Sequence, residues 1–122
     1  MKSGQEPKPA SVAWEGNSKE ILSSFPDEVK ATLGFSLRQI QNGRQPVCSH
    51  RSMASIGQGV WELKESDERT WYRVMYLARI NNVVHVLHCF EKNSRKTDRR
   101  DVETAKARLS QVLKRMQELK NR

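Results

Sequence analysis

The chain has 122 residues, of which 36% are hydrophobic and 30% are charged, a length and composition typical of one soluble domain. No apolar run is long enough to cross a bilayer, and the first residues lack the apolar stretch of a secretory signal, so we expect a cytoplasmic protein with no membrane partner. Cys48 and Cys89 lie far apart in the sequence and do not indicate a disulfide framework.

The positive charge is concentrated near the end of the chain. Residues 1–90 carry 11 Lys and Arg against 9 Asp and Glu, whereas residues 91–122 carry 11 against 5, so the two segments contribute +2 and +6 to the net charge of +8. A clustered basic segment suits a polyanion such as RNA, DNA or an acidic protein. A solvated helix face gives the same pattern, and charge alone does not separate the two interpretations.

The chain begins with a polar segment, residues 1–9, which we predict to be a disordered tail. Residues 10–122 are predicted to form a single domain. A short strand is predicted for Ser11 to Glu15. Asn17 can then cap a helix, with Glu20 three residues later as in a capping box.

A second helix is predicted to begin with Pro26 in its first turn and to continue to Ile40, because apolar residues recur there at helical spacing. Gly34 lies in its middle, at a cost of ~1 kcal/mol relative to Ala. Gly43 is a natural C-cap. The two helices together predict an N-terminal helical hairpin.

The middle of the chain is predicted to form an antiparallel sheet. Residues 59–65 and 70–79 alternate between apolar and polar and are joined by a polar turn. Residues 83–90 are apolar on both faces, as in a central strand covered on both sides. An amphipathic helix is predicted from about Asp98 to Leu119, with Thr97 as its cap. This order indicates an α+β domain, and we expect its helices on one face of the sheet and a binding surface on the other.

Several short segments between residues 10 and 110 occur in an order found in one known family. They are Ser24-Phe25-Pro26 with Val29-Lys30 and Gly34, Gln41-Asn42-Gly43 with Pro46, Ile56 to Leu63 (IGQGVWEL), Tyr72 to Tyr76 (YRVMY), Leu87 to Ser94 (LHCFEKNS) with Lys96-Thr97, and Ala105 with Arg108. In these segments the chain resembles the phage-derived, HigB-type branch of the RelE/ParE toxin superfamily. It departs from that pattern at Asn93, where the family usually has a second Lys, and at Asp98, where a Pro often follows the Thr.

The resemblance implies a RelE-like (microbial RNase-like) twisted antiparallel sheet with an N-terminal helical hairpin and a C-terminal helix. Family members are toxins of type II toxin–antitoxin systems, typically ribosome-dependent mRNA endonucleases that need no metal or cofactor. The expected partners are therefore mRNA, the ribosome and a small helix-turn-helix antitoxin protein. The ParE branch shares the fold but inhibits DNA gyrase, so the fold does not fix the target. The missing Lys at Asn93 leaves open an inactive phage-derived binding protein.

Cleavage of RNA by its own 2′-hydroxyl requires a proton acceptor, a proton donor and cations for the phosphoryl group. Arg73 is the first catalytic candidate, because it lies in the middle of a strand. If the hairpin is centred on Asp67-Glu68, Arg73 lies opposite Glu62, and the alternative is a cross-strand ion pair worth ~0.2–1 kcal/mol. We expect Arg73 to be half exposed.

Two further catalytic candidates lie in the last strand or follow it. Lys92 could contact phosphate or act as an acid, and the alternative is a solvated strand end. His88 could carry a proton, since its ordinary pKa is ~6.5, although a buried, hydrogen-bonded His is the alternative. His85 is expected to face the opposite way. The predicted RNA contacts are Glu62, Lys64, Tyr76, Arg95, Lys96 and Arg108.

We predict no metal site. Cys48, His50, His88 and Cys89 are all zinc-type ligands, but the adjacent His88 and Cys89 should point to opposite faces of a strand.

Overall fold

The computed structural model describes residues 8–92 and 98–121. The helices and strands of that part of the chain are β1 (Ser11–Trp14), α1 (Ser18–Ser23), α2 (Asp27–Gln41), β2 (Ser49–Ser52), β3 (Val60–Ser66), β4 (Trp71–Ile80), β5 (Val83–Lys92) and α3 (Arg99–Lys120). Residues 1–7 of the predicted tail, and the predicted cap Thr97, lie outside the described residues. Among the helices described here, none is long and apolar enough to cross a membrane.

The five strands form one mixed sheet in the order β1-β5-β4-β3-β2. The pairs β2–β3, β3–β4 and β4–β5 are antiparallel, but β1 runs parallel to β5. The prediction of an antiparallel sheet is therefore wrong at this edge. The alternation of apolar residues in β1 indicates a strand but carries no information on its direction.

Helices cover both faces of the sheet, which corrects the expectation of one free face. Helices α1 and α2 bury Leu22, Leu33 and Leu37 in one core cluster with the first face. Helix α3 packs on the other face, where its apolar stripe contributes Ala105 and Leu109 to a second cluster. The strands β4 and β5 supply apolar side chains to both clusters, so both faces of these two strands must be covered to keep their apolar surface from water.

The end of α2 follows the prediction made from Gly43. Its φ of 75° is in the left-handed region, its N–H donates to the carbonyl of Ile40, and the next N–H, of Arg44, donates to the carbonyl of Gln39. This pair of bonds is the Schellman arrangement, which satisfies the last carbonyls of a helix. The capping box at Asn17 is wrong, since the Asn17 side chain makes no cap bond to α1 and instead accepts a bond from Arg108 of α3.

A buried carboxylate connects the start of the domain to α3. Glu15 follows β1, and its two oxygens contact Arg115 Nη2 at 2.7 Å and His85 Nδ1 at 3.2 Å. Burial raises the pKa of Glu15, but the hydrogen bonds from Arg115 and His85, with their charges, outweigh that effect and hold the pKa below its ordinary value. The ionised carboxylate is thus the form that the fold stabilises.

Replacing Glu15 by Gln should lower the free energy of unfolding by about 1–2 kcal/mol at pH 7, since bonds between charged groups are lost. Because the folded-state pKa lies below the ordinary value of 4.5, this contribution is complete above pH 4.5 and is lost as the pH falls through the folded-state pKa. Urea denaturation of both proteins from pH 7 downward measures it. Glu20→Gln, at an exposed position, is the control. The account is contradicted if the difference in free energy of unfolding between wild type and Glu15→Gln does not decrease as the pH falls.

Candidate functional site

Strands β2 to β5 place a row of polar side chains on the face of the sheet that also carries α3. Arg51 pairs with Glu62, and Lys64 pairs with Arg73. On the next strand, Lys92 pairs with Trp71, which lies two residues before Arg73 on the same face. Directly paired residues share a face, so four cations lie together on adjacent strands. We call Arg51, Lys64, Arg73 and Lys92 the cationic row.

Glu62 lies inside this row and contacts two of its members. Its Oε1 is 3.1 Å from Arg51 Nε and 3.4 Å from Arg73 Nη1. The side chains of Glu62 and Arg73 are 0% exposed, whereas that of Arg51 is 51% exposed. The expectation of a half-exposed Arg73 is therefore wrong: it lies on the inner strand β4, between Lys64 of β3 and Phe90 of β5.

The register of the hairpin also differs from the prediction. Glu62 pairs with Met75 rather than Arg73, so its contact with Arg73 is diagonal. The turn is centred one residue later because Asp67 closes it: Asp67 Oδ1 accepts bonds from the N–H groups of Arg69 and Thr70 at 2.9 and 2.8 Å. An Asp side chain that bonds the backbone two and three residues later fixes the turn without help from the strands.

Glu62 Oε2 is buried and makes no hydrogen bond to any residue that the structure describes. A buried carboxylate without nearby cations would be protonated or very costly, and here Arg51 and Arg73 supply the compensating charge. The carboxylate in turn brings two guanidinium groups close together, which like charges alone would oppose. Its structural role is therefore to hold the centre of the cationic row.

The two lysines of the row have different surroundings. Lys64 is partly exposed, and its Nζ lies 5.0 Å from the ring centroid of Trp71, within range of a cation–π contact. Lys92 is 12% exposed, and its Nζ is 2.5 Å from Asp98 Oδ2. Lys92 is thus neutralised at the start of α3, whereas Lys64 and Arg51 offer positive charge to solvent. The predicted RNA contacts Arg95 and Lys96 lie outside the described residues.

His88 connects the sheet to α3 rather than pointing into solvent. Its Nε2 is 2.8 Å from Asp101 Oδ1, its Nδ1 is 3.5 Å from Arg108 Nη1, and its ring stacks on Phe90 at 4.9 Å. Burial lowers the pKa of His88, the Asp101 carboxylate raises it and the Arg108 charge lowers it, and the net shift is downward. The neutral imidazole, which can accept a proton, therefore prevails near pH 7.

Arg108, a predicted RNA contact, is held by the protein itself. Besides His88, it donates to the carbonyl of Leu87 at 3.0 Å and to Asn17 Oδ1 at 3.0 Å. A Cβ at Gly16, where φ is 54°, would lie 2.4 Å from Arg108 Cζ. The guanidinium thus fills the space beside Gly16, and the structure brings Arg108 to His88 but not to the cationic row.

His85 faces the same side as His88, which corrects the expectation that the two point in opposite directions. The register moves from Met75–His88 to Tyr76–Val86, and Leu87 is the extra residue of a β-bulge. A bulge breaks the period of two, so two residues three apart share a face. His85 contacts Glu15 there.

Tyr76 lies on the other face of the sheet, buried in the core cluster that includes α2. Burial raises the pKa of its hydroxyl to about 12. The structure therefore separates Tyr76 from the cationic row.

The sequence analysis did not identify Arg51, which is a member of the cationic row. The strand β2 that carries it is polar throughout and shows no alternation of apolar residues.

The described residues contain no group of three or more His, Cys, Asp or Glu side chains placed to hold a metal ion. Cys48 lies near Ser36, whose Oγ donates to its Sγ at 3.2 Å, and Cys89 is buried in the core.

One comparison with known proteins identifies a family. The model of the phage-derived Gp49-like protein family (DUF891) matches residues 20–110. The chain belongs to this family, whose members are RelE-like, toxin-like proteins. A search of curated proteins finds no match.

The buried pair Glu62–Arg73 predicts a large loss of stability when one partner is removed. Arg73→Ala should lower the free energy of unfolding by about 3 kcal/mol, because it leaves a buried carboxylate with one cation. The double variant Glu62→Leu/Arg73→Met removes both charges and should lose clearly less. Thermal unfolding of these proteins beside Lys106→Ala, an exposed control on α3, measures the effect. An Arg73→Ala protein with an unchanged melting temperature would contradict the assignment of this pair to the core.

Proposed function

We propose that this chain is a toxin of a type II toxin–antitoxin system, of the HigB type, and that it inhibits translation by cutting mRNA. The proposal includes a RelE-like fold with α1 and α2 as its helical hairpin. Family membership supports the toxin class. The observation that carries the RNA target is the cationic row, in which the partly exposed Arg51 and Lys64 flank a buried carboxylate. A surface of this kind suits the phosphates of a single strand.

In the proposed reaction the 2′-oxygen attacks the adjacent phosphorus and the bond to the 5′-oxygen breaks. The attacking 2′-hydroxyl loses its proton to a base, and the leaving 5′-oxygen gains a proton from the ammonium group of Lys92. Arg51 and Lys64 hold the phosphate first, since they face solvent. Lys92 meets the developing charge once bound RNA has replaced its contact with Asp98.

Arg73 is fully buried and acts as a positioning residue, because it holds Glu62, which contacts Arg51. His88 acts as the base through Nδ1, because its Nε2–H donates to Asp101, and the contact of Nδ1 with Arg108 is exchanged first.

The proposed partners are mRNA on the ribosome and a helix-turn-helix antitoxin. Arg95 and Lys96 lie three and four residues after Lys92 in the sequence and remain proposed RNA contacts. Glu62, first proposed as an RNA contact, is assigned to positioning Arg51, because its side chain is fully buried.

One observation favours a second candidate function. The complete burial of Glu62 and Arg73 keeps the first catalytic candidate, Arg73, out of contact with RNA, as in a purely structural ion pair. In that case the chain is a non-enzymatic toxin that inhibits DNA gyrase, or an inactive phage-derived binding protein. The two functions differ in their products: cut mRNA in one, altered DNA supercoiling in the other.

Induced expression in a bacterium should stop growth and create new mRNA ends inside translated frames, detected by primer extension. Arg51→Ala and Lys64→Ala should each reduce cleavage by about tenfold or more, since each removes a phosphate contact. The melting temperature of Lys64→Ala should stay within about 2 °C of wild type, because this side chain reaches solvent. That of Arg51→Ala should fall, because this change removes one of the two cations that contact the buried carboxylate of Glu62.

Lys106→Ala removes an exposed cation of α3 that is not a member of the cationic row, and it serves as the matched control. Growth arrest with intact mRNA and changed plasmid supercoiling would contradict the proposed nuclease function and favour inhibition of DNA gyrase. Normal growth at high soluble expression would count against both toxins.

A further inference from the structure

A groove of about 260 Å³ lies between β1, α1 and α2, on the opposite face of the sheet from the cationic row. Val12 and Trp14 of β1, Leu22 of α1 and Leu37 of α2 give it an apolar lining. β1 is the outermost strand of the sheet, so the groove lies at a free edge of the described fold. Val12 and Trp14 remain partly exposed there. Apolar side chains left partly open to water at an edge gain stability when a further segment covers them.

Gly34 forms part of the wall of this groove, in the middle of α2. A Cβ added at this position would meet nothing within 4 Å. Packing within the chain therefore does not require glycine here, although glycine weakens the helix. A missing side chain at a helix surface lets another backbone approach closely. The open space at Gly34 is therefore suited to contact with another molecule.

Three cations surround the apolar lining. Lys19 and Arg38 are exposed, and neither forms an ion pair within residues 8–92 and 98–121. Lys30 contacts Asp27 at 3.7 Å and the carbonyl of Ser23 at 3.3 Å, and it still lies at the groove. An apolar floor with a basic rim is complementary to aliphatic side chains flanked by carboxylates.

We propose that this groove binds an acidic segment of a separate protein, with an aliphatic side chain seated beside Gly34. A second copy of this chain fits poorly, because each copy carries a net charge of +8. RNA fits poorly as well, since three of the four apolar side chains in the lining are aliphatic and only Trp14 offers a stacking surface. The inference does not depend on RNA cleavage, and a failed test of one leaves the other intact.

The test uses a fluorescein-labelled amphipathic peptide with leucines on one face and glutamates on the other, and fluorescence polarisation with the full chain. Gly34→Leu fills the gap and should weaken binding by about tenfold or more. The same variant should raise the melting temperature by roughly 4 °C, because leucine favours the helix and meets no neighbour. Loss of binding in a more stable protein identifies a blocked surface rather than a damaged fold.

A second set of variants tests the role of charge: Lys19→Glu/Arg38→Glu should also weaken binding about tenfold. The control of equal charge change is Lys106→Glu/Lys114→Glu, at two exposed positions of α3. The proposal is overturned if the wild-type chain does not bind the peptide, if Gly34→Leu binds it unchanged, or if a lysine-faced peptide binds equally well. Displacement of the peptide by a short single-stranded RNA would assign the groove to nucleic acid instead. Self-association that Gly34→Leu abolishes would assign it to a second copy of the chain.

Discussion

The ion pair of Glu62 and Arg73 is the constraint on which the sheet and its charged face depend. Neither side chain reaches water, so each charge is compensated within the protein. Glu62 joins three strands, because it sits on β3 and contacts Arg51 of β2 and Arg73 of β4. Without the carboxylate, the two guanidinium groups would repel each other at the centre of the sheet. The same pair therefore stabilises the fold and concentrates positive charge on one face.

The β-bulge at Leu87 is the second feature that determines which side chains lie on the face of the sheet covered by α3. It turns both His85 and His88 toward α3, where they meet Glu15 and Asp101. These contacts, with Arg108, attach α3 and the start of the chain to the same strand. The polar residues of β5 that resemble a catalytic set thus serve first to position α3. If His88 acts in catalysis, one of its contacts in this structure, with Asp101 or with Arg108, has to be broken first.

Much of the fold could be predicted from the sequence, because apolar spacing and turn residues are local signals. The strands β3, β4 and β5, the helix α3 and the Schellman end at Gly43 follow such signals. The parallel direction of β1, the strand β2 and the bulge do not, since they depend on pairing between distant segments. The site divides in the same way. Alternation identified Arg73, but its burial depends on the neighbouring strands, and the role of Arg51 depends on the pairing of β2 with β3. The register of Glu62 depends on the turn that Asp67 closes.

The central claim is that the exposed cations held by Glu62 bind RNA phosphates, and the salt dependence of binding tests it most directly. The affinity for a short single-stranded RNA is measured at several salt concentrations, for wild type, Arg51→Ala and Lys106→Ala. Each lost phosphate contact should reduce the slope of log K against log salt by about 0.7. The account predicts that reduction for Arg51→Ala and no change for Lys106→Ala. Equal slopes for all three proteins would contradict it.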